Sequence, residues 1–278
     1  MKTTLAVLLT CHNRKQKTLQ CLQSLFEAIL PEDYILEVFL VDDGSTDGTG
    51  EAVEKEFPEV NVIKGTGNLF WNQGMRLAWK TAAKIKEYDF YLWLNDDTLL
   101  DKEALIKFFK VYEDAKKFEQ NEVLITSACR ALLGEDSFSY GGRNEAGPIE
   151  PNGALQSCKY INGNAVLIPK IIFKTIGNLS SDYTHGMGDF DYGLRAAKNG
   201  FKCYTTKDYI ATCPLNEGIP GWCNPANALS KRWKLLHSPL GLNIKEYNRF
   251  RKAFWGKKWL SYALQAYAKM LLPRIFLR

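Results

Sequence analysis

The chain has 278 residues, 46% of them hydrophobic and 24% charged, with a net charge of +5, enough to bury a sizeable core as one large domain or two small ones. No stretch approaches the ~20 uninterrupted apolar residues of a membrane-spanning helix, and the apolar run after Met1, only Leu5 to Leu9, is too short for a signal-peptide core, so a cytoplasmic protein is expected. The seven cysteines are odd in number, scattered and without a Cys-x-x-Cys pair, which argues against a disulfide framework or a zinc site and for reduced thiols.

Leu5 to Thr10 reads as a first strand, and Lys15 to Leu30 as a helix with Leu19, Leu22, Leu25, Phe26 and Ile29 on one face, stopped by Pro31. A second strand spans Leu36 to Val41, and Ser45 or Thr46 caps a helix that ends before Pro58. Val60 to Ile63 is a third strand, after which Asn68 to Trp71 lead into a helix reaching Lys86. The apolar run from Tyr88 to Leu94 predicts a fourth strand covered on both faces, followed by a helix over Asp101 to Lys117. Such strict alternation implies right-handed crossovers and an α/β, Rossmann-like, mostly parallel sheet flanked by helices, with a nucleotide as its natural ligand.

Beyond Glu122 the pattern loosens. Val123 to Ser127 is a strand, Leu133 to Pro151 a loop or hairpin, and Cys158 to Pro169 holds a strand interrupted by Asn162-Gly163-Asn164. Thr184 to Gly188 reads as loop, Asp189 to Asn199 as a helix closed by Gly200, and Phe201 to Thr205 as a further strand. Cys213 to Asn227, with three Pro and two Gly, reads as a mobile loop, and two helices follow, Glu246 to Phe254 and Lys257 to Leu272, the second ended by Pro273.

Two of these strands end in acid: Asp42-Asp43 after the second and Asn95-Asp96-Asp97 after the fourth. Acids there are often turn formers and helix caps. Two pairs at the C-terminal ends of parallel strands, where such sheets bind ligands, point instead to a metal diphosphate.

In order and spacing these motifs resemble the family 2 glycosyltransferases of GT-A fold over residues 3–215: Thr10-Cys11-His12-Asn13-Arg14, then Val41-Asp42-Asp43-Gly44-Ser45-Thr46-Asp47-Gly48-Thr49, then Asn95-Asp96-Asp97 in the metal-binding "DXD" place, then Gly188-Asp189-Phe190-Asp191-Tyr192-Gly193-Leu194-Arg195. Gly67-Asn68-Leu69-Phe70-Trp71-Asn72-Gln73-Gly74-Met75-Arg76 looks like a segment of the rhamnosyl- and galactofuranosyl-type members. The resemblance implies an enzyme that moves a sugar, with inversion, from a nucleotide-diphosphate donor (dTDP-rhamnose or a UDP-sugar) to a glycan or lipid-linked glycan in surface polysaccharide synthesis. It implies Mg2+ or Mn2+ on Asp97 and Asp96, and His237 stands where some members place a third ligand. Thr10, His12, Asn13, Arg14, Asp42, Asp43, Asn68, Trp71, Arg76, Asn95 and Asp96 would then bind the donor, with His12 stacking on the base, Asp43 accepting a hydrogen bond from it, and Arg76 adding charge for the phosphates. Phe70 and Trp71 read equally as packing of a helix onto the sheet.

A carboxylate within reach of the acceptor hydroxyl serves as base, and Asp189 aligns with that role. Asp191 is the alternative; if a helix has begun there, it projects about 200° away around the axis. The acid the family carries before Asp189 is Gly188 here, and one base suffices for an inverting transfer. His185, four residues earlier, reads as either a contact for acceptor or product phosphate or an inert loop residue.

Residues 231–278 carry twelve Lys or Arg against one acid, Glu246, which leaves residues 1–230 at −6. Trp233, Tyr247, Phe250, Phe254, Trp255, Trp259, Tyr262, Tyr267 and Phe276 are interleaved with these cations. Such a basic aromatic helical extension suits peripheral attachment to an anionic membrane; packing on the domain of residues 1–230, or a homodimer contact, is the structural alternative. Nucleic acid is not expected as a partner, because the rest of the chain is acidic. A sugar-phosphate nucleotidyltransferase, or a non-catalytic glycan- or membrane-binding subunit, is the rival reading of function.

Overall fold

The structure is a computed structural model that describes residues 2–134, 137–215 and 218–276. Parts of the loops expected over 133–151 and 213–227, and the last two residues of the tail, lie outside the described residues. In chain order the elements are β1 (Thr3–Cys11), α1 (Lys15–Glu27), β2 (Tyr34–Asp42), α2 (Thr49–Glu56), β3 (Val60–Lys64), α3 (Phe70–Ile85), β4 (Phe90–Leu94), β5 (Leu99–Leu100), α4 (Ala104–Glu119) and β6 (Val123–Arg130). There follow β7 (Phe138–Tyr140), β8 (Arg143–Asn144), β9 (Gly147–Pro148), β10 (Gln156–Cys158), β11 (Ala165–Pro169), α5 (Lys170–Ile176), α6 (Gly188–Lys198) and β12 (Lys202–Thr212). The chain ends in α7 (Leu229–Leu236), α8 (Ile244–Trp255), α9 (Trp259–Leu271) and α10 (Pro273–Phe276).

The main sheet runs β10-β12-β6-β11-β4-β1-β2-β3. β3, β2, β1 and β4 are parallel neighbours, whereas β11 is antiparallel to both β4 and β6. Successive residues of β1 alternate between faces, as the strand period of two requires. Leu5, Val7 and Leu9 join a core with Leu22, Leu25 and Phe108, while Ala6 and Leu8 join one with Trp79, Tyr91, Trp93 and Tyr192. Burying a side chain of this size contributes about 1.5–3 kcal/mol, so the apolar content of the strands covers both faces and leaves chemistry to the strand ends.

Two registers set the site. β1 ends between the ends of β2 and β4, with Cys11 beside Asp42 and Leu8 beside Trp93. Ala165 of β11 pairs with Leu94, so residues 162–164 arrive at the C-terminal end of β4, where Asn95 N donates to Asn164 O at 2.8 Å.

Several boundaries differ from the sequence reading, each for a local reason. Helix α2 begins at Thr49 after a left-handed Gly48 without a side-chain cap from Ser45 or Thr46. Those two residues are tied instead to the end of β1: Asn13 N donates to Ser45 Oγ at 2.9 Å, and Thr46 N to Asn13 Oδ1 at 2.7 Å. Helices α5 and α7 were not legible in the periodicity, and Pro273, after ending α9, opens α10.

The tail docks on the α/β core through α8. The Glu246 carboxylate accepts from Thr184 N at 2.9 Å and Thr184 Oγ1 at 2.6 Å, and Phe250 packs with Tyr183 and Leu194. A separate small core of Leu236, Ile244, Ala266 and Met270 joins α7, α8 and α9.

Candidate active site

A cavity of about 570 Å³ opens at the C-terminal ends of β1 and β4. Of the residues singled out from the sequence, Thr10, His12, Arg14, Asp43, Trp71, Asn95, Asp96, Asp97, His185 and Asp189 line it. Asn13, Asp42, Asn68, Arg76, Asp191 and His237 do not.

The acidic pair faces a built-in cation. Arg14 Nη1 donates to Asp96 Oδ1 and to Asp97 Oδ2, both at 2.9 Å. Burial pushes the Asp96 carboxyl up to about 6; Arg14 pulls it down and the Asp97 charge adds to the rise. Burial works against the charge on Arg14, and the two carboxylates nevertheless hold its pKa above the ordinary value. Asp96 Oδ2 is buried with no hydrogen-bond partner. Asp97 Oδ1 has Cys213 Sγ at 3.8 Å, a thiol that burial, with Asp97 adding to it, pushes up to about 12 and so keeps neutral. Spare carboxylate oxygen of this kind suits a hard divalent cation such as Mg2+ or Mn2+, which takes one or two carboxylates and fills the rest of its shell with phosphate oxygen and water. Among the described residues no group of three or more His, Cys, Asp or Glu is arranged to hold a metal ion by itself. His237 does not join the pair: its Nδ1 donates to Trp233 O at 2.8 Å, and its ring lies against Trp233 and Tyr267.

His12 is oriented by its neighbours. Its Nδ1 donates to Asp43 O at 2.7 Å and its Nε2 accepts from Asn13 Nδ2 at 3.2 Å, which holds the ring at the cavity wall. The Asp43 carboxylate is occupied by backbone: Oδ1 accepts from Gly67 N at 2.7 Å, and Oδ2 from Leu69 N and Phe70 N at 2.8 and 2.9 Å. It therefore braces the 67–70 loop, with one lone pair of Oδ1 left for a ligand. Asp42 accepts from Ser45 N at 3.0 Å, a turn role. Arg76 points away from the cavity, its Nε donating to Leu179 O at 3.1 Å, so the charge expected on the phosphates is spent on a loop.

Trp71 packs against the sheet and also faces the cavity. Its Nε1 donates to Asn95 Oδ1 at 2.6 Å, its ring meets Trp93 edge to face, and it lines the cavity. A Cβ on Gly163 would stand 2.5 Å from this indole, so glycine lets the ring lie flat on the 162–164 turn.

Helix α6 starts at Gly188 and separates the two candidate bases, as a 100° step per residue requires. Asp189 lines the cavity, with Oδ1 accepting from Phe190 N at 2.8 Å and Oδ2 from Gly163 N at 3.1 Å. Burial pushes its carboxyl up to about 6 against the opposing pull of these N–H groups. Asp191 is buried on the other side, with Arg195 Nε at 2.7 Å and Tyr183 OH at 3.3 Å. Arg195 also donates to Ile176 O and Asn178 O, so Asp191 holds the arginine that ties α6 to the loop after α5. Gly188 also has a packing reason: a Cβ there would lie 1.9 Å from Oδ1 of Asn72, whose Nδ2 donates to Ser180 O and Tyr183 O.

Asn162, Gly163, Asn164, Gly186, Cys213 and Leu240 also belong to this region but were not assigned to the site from the sequence. The interruption of a strand by Asn162-Gly163-Asn164 was a visible signal; of the others, Cys213 arrives through the pairing of β12 with β6, and Gly186 and Leu240 through the docking of the tail on the loop of Thr184. His185 Nδ1 accepts from Trp71 N at 3.4 Å, and burial, with Arg14 adding to it, lowers its pKa, which favours the neutral ring at the cavity mouth.

Residues 6–130 match the family model described as glycosyl transferase family 2. No curated protein sequence matches the chain. Among solved structures it is similar to the mannosyltransferase PcManGT from Pyrobaculum calidifontis in complex with GDP-Man and Mn2+: TM-score 0.58, 17% identity, 98% of this chain and 71% of that one covered. It is also similar to S. aureus TarS 1–349 in complex with UDP, at TM-score 0.57 and 14% identity over 97% and 88% of the two chains. With UDP-GlcNAc bound, the same TarS segment matches at TM-score 0.57 and 15% identity, over 97% and 78%. At these identities the likeness is one of fold, and that fold is the expected GT-A arrangement.

Proposed function

For a chain whose residues 6–130 belong to glycosyl transferase family 2 and which is a glycosyltransferase of GT-A fold, we propose a metal-dependent, inverting transfer of a sugar from a nucleotide-diphosphate donor to a glycan or lipid-linked glycan acceptor. The observation that carries this reading is that Asp189 and the Asp96–Asp97 pair line one cavity while Asp191 is tied away from it. The complexes of the structural neighbours with GDP-Man, UDP and UDP-GlcNAc support a nucleotide-sugar donor. The family match favours glycosyl transfer over the nucleotidyltransferase and over a non-catalytic subunit.

In this reading the nucleoside lies along His12 and the 67–70 loop, and the diphosphate faces Asp96, Asp97 and Arg14. When bound, a divalent cation held by Asp97 with Asp96 supplies Lewis-acid stabilisation of the leaving diphosphate. Arg14 contributes charge at the same place, already fixed before the substrate arrives. Asp189, ionised at neutral pH and held by two backbone N–H groups, takes the proton of the acceptor hydroxyl as that oxygen attacks the anomeric carbon. A single carboxylate in reach of the acceptor suits one in-line displacement, hence inversion. dTDP-rhamnose and UDP-sugars are the donors favoured by the 67–76 segment.

Peripheral membrane attachment is the accompanying proposal. Leu260, Leu264, Leu271, Leu272 and Ile275 are exposed beside Lys257, Lys258, Lys269 and Arg274, a pattern suited to an anionic interface. Flotation with anionic vesicles should recover the full chain and lose a Leu260→Ser, Leu264→Ser, Leu271→Ser variant; equal recovery refutes attachment through this face. A dimer formed without vesicles and lost in that variant would assign the face to a second copy.

The experiment for the reaction is divalent-dependent nucleotide release from a panel of UDP-, GDP- and dTDP-sugars, repeated with Asp97→Ala. Turnover should require the metal and fall at least ~100-fold in the variant. If no donor turns over and calorimetry shows no nucleotide binding, the reading fails.

A further inference from the structure

A second groove, of about 330 Å³, lies beside the first cavity. The two share a wall: Gly186 and Asp189 face the first, Met187 and Phe190 the second. The tail helix α8 lines it through Arg251 and Trp255, and Arg143 and Tyr160 complete the lining. The groove thus lies across residues 186–190 from the cavity that Asp189 faces.

The chemistry of the groove is unusual in its cations. The Arg251 guanidinium lies over Tyr262 at 4.2 Å, Trp255 at 4.6 Å and Tyr247 at 4.9 Å, and its Nε is buried without a hydrogen-bond partner. Among the described residues no carboxylate pairs with Arg251 or with Arg143. Glu145, the acid that lines the groove, is already engaged by Lys159. Aromatic faces offset part of the cost of desolvating a guanidinium, yet a buried donor left unmatched remains costly. Two planar forks without a counter-ion among the described residues form a receptor for an oxyanion, which arginine binds with paired hydrogen bonds. Tyr160, Phe190 and Trp255 add aromatic surface to the lining, and the volume lies at the small end of ligand cavities.

We propose that this groove is an acceptor subsite that takes a sugar bearing an oxyanion, its ring against the aromatic wall and its anionic group between Arg251 and Arg143. The assignment as an acceptor site rests on the glycosyl-transfer reading above; the oxyanion preference rests on the groove alone. Glycans with phosphate or uronate groups and lipid-linked diphosphate sugars share this chemistry.

The test is a set of binding titrations on the full chain, with UDP as the probe of the first cavity and glucose 1-phosphate, glucuronate, farnesyl diphosphate and glucose as probes of the groove. Glucose 1-phosphate or glucuronate should bind at least ~10-fold tighter than glucose. Preference for farnesyl diphosphate over both would assign the oxyanion to a lipid diphosphate. Arg251→Gln and Arg143→Gln should each abolish most of the preference, with UDP affinity as the check that each variant is folded; Arg143 sits on an exposed hairpin, so its variant stands even if the other fails to fold. If UDP binds but the anionic sugars bind no tighter than glucose, or the arginine variants keep the preference, the proposal is overturned. If no nucleotide binds while the arginine-dependent preference persists, the donor reading falls and the oxyanion site stands.

Discussion

Asp189→Asn separates catalysis from stability in a way that the surroundings of the carboxylate allow to be worked out. The native carboxyl is raised by burial from 3.8 to about 6, so the folded state binds the proton more tightly than the unfolded one. Its ionisation penalty is absent below pH ~4, grows as pH rises to ~6 and is fully present above that, on the order of 3 kcal/mol at most. The asparagine removes that penalty at pH 7. It also supplies one acceptor where two are used, by Phe190 N and Gly163 N, which costs about 1–3 kcal/mol for the N–H left facing an amide donor. The two effects offset, and denaturant titration at pH 7 should place the variant within about 2 kcal/mol of the parent. Turnover should fall ~10²–10⁴-fold. In the parent, kcat should drop at least about tenfold from pH 7 to pH 5 as a base titrating near 6 is protonated; Asp96, also raised to about 6, stays in the variant, whose small residual rate should keep only a shallower limb. A variant that is folded, binds UDP and keeps kcat within tenfold refutes Asp189 as the base, and a collapse of stability refutes the offset.

Gly188→Ala should destabilise by about 2–4 kcal/mol, because its Cβ would meet Asn72 Oδ1 at 1.9 Å in a buried hydrogen-bonded site; adding Asn72→Ala should restore part of the loss in thermal melts, and strict additivity of the two would refute the clash. Arg76→Ala should cost roughly 1–2 kcal/mol through its bond to Leu179 O while leaving nucleotide affinity within about twofold by calorimetry; a tenfold weaker Kd would return Arg76 to the phosphates. Glu246→Ala frees Thr184, with an expected loss of about 1–3 kcal/mol and faster amide exchange in residues 183–187. Unchanged exchange there would show that α8 does not hold that loop.

The tail shows what composition alone leaves unread about a domain. Its cations and aromatic rings read as a surface for lipid, and the sequence carried no sign that Glu246, its single acid, would accept two hydrogen bonds from Thr184. The contact joins residues 62 positions apart, and no local pattern encodes it. The same limit applies to Arg76, whose place in the 67–76 string suggested phosphates but whose helix face is turned to the 178–179 loop.

What the chain determined by itself was the α/β frame and the strand ends that carry its acids. Apolar runs of strand length must be buried on both faces, and acids immediately beyond them can only stand at the edge of a sheet; Asp43, Asp96 and Asp97 were legible for that reason. What only the tertiary structure decided was which groups meet. The antiparallel return of β11 brings Gly163 N to Asp189, the start of α6 at Gly188 turns Asp189 into the cavity and Asp191 into Arg195, and the docking of α8 builds a second groove from residues more than a hundred positions apart. Helix phase and strand register convert small shifts along the chain into opposite directions in space, and those are fixed by packing of the whole domain.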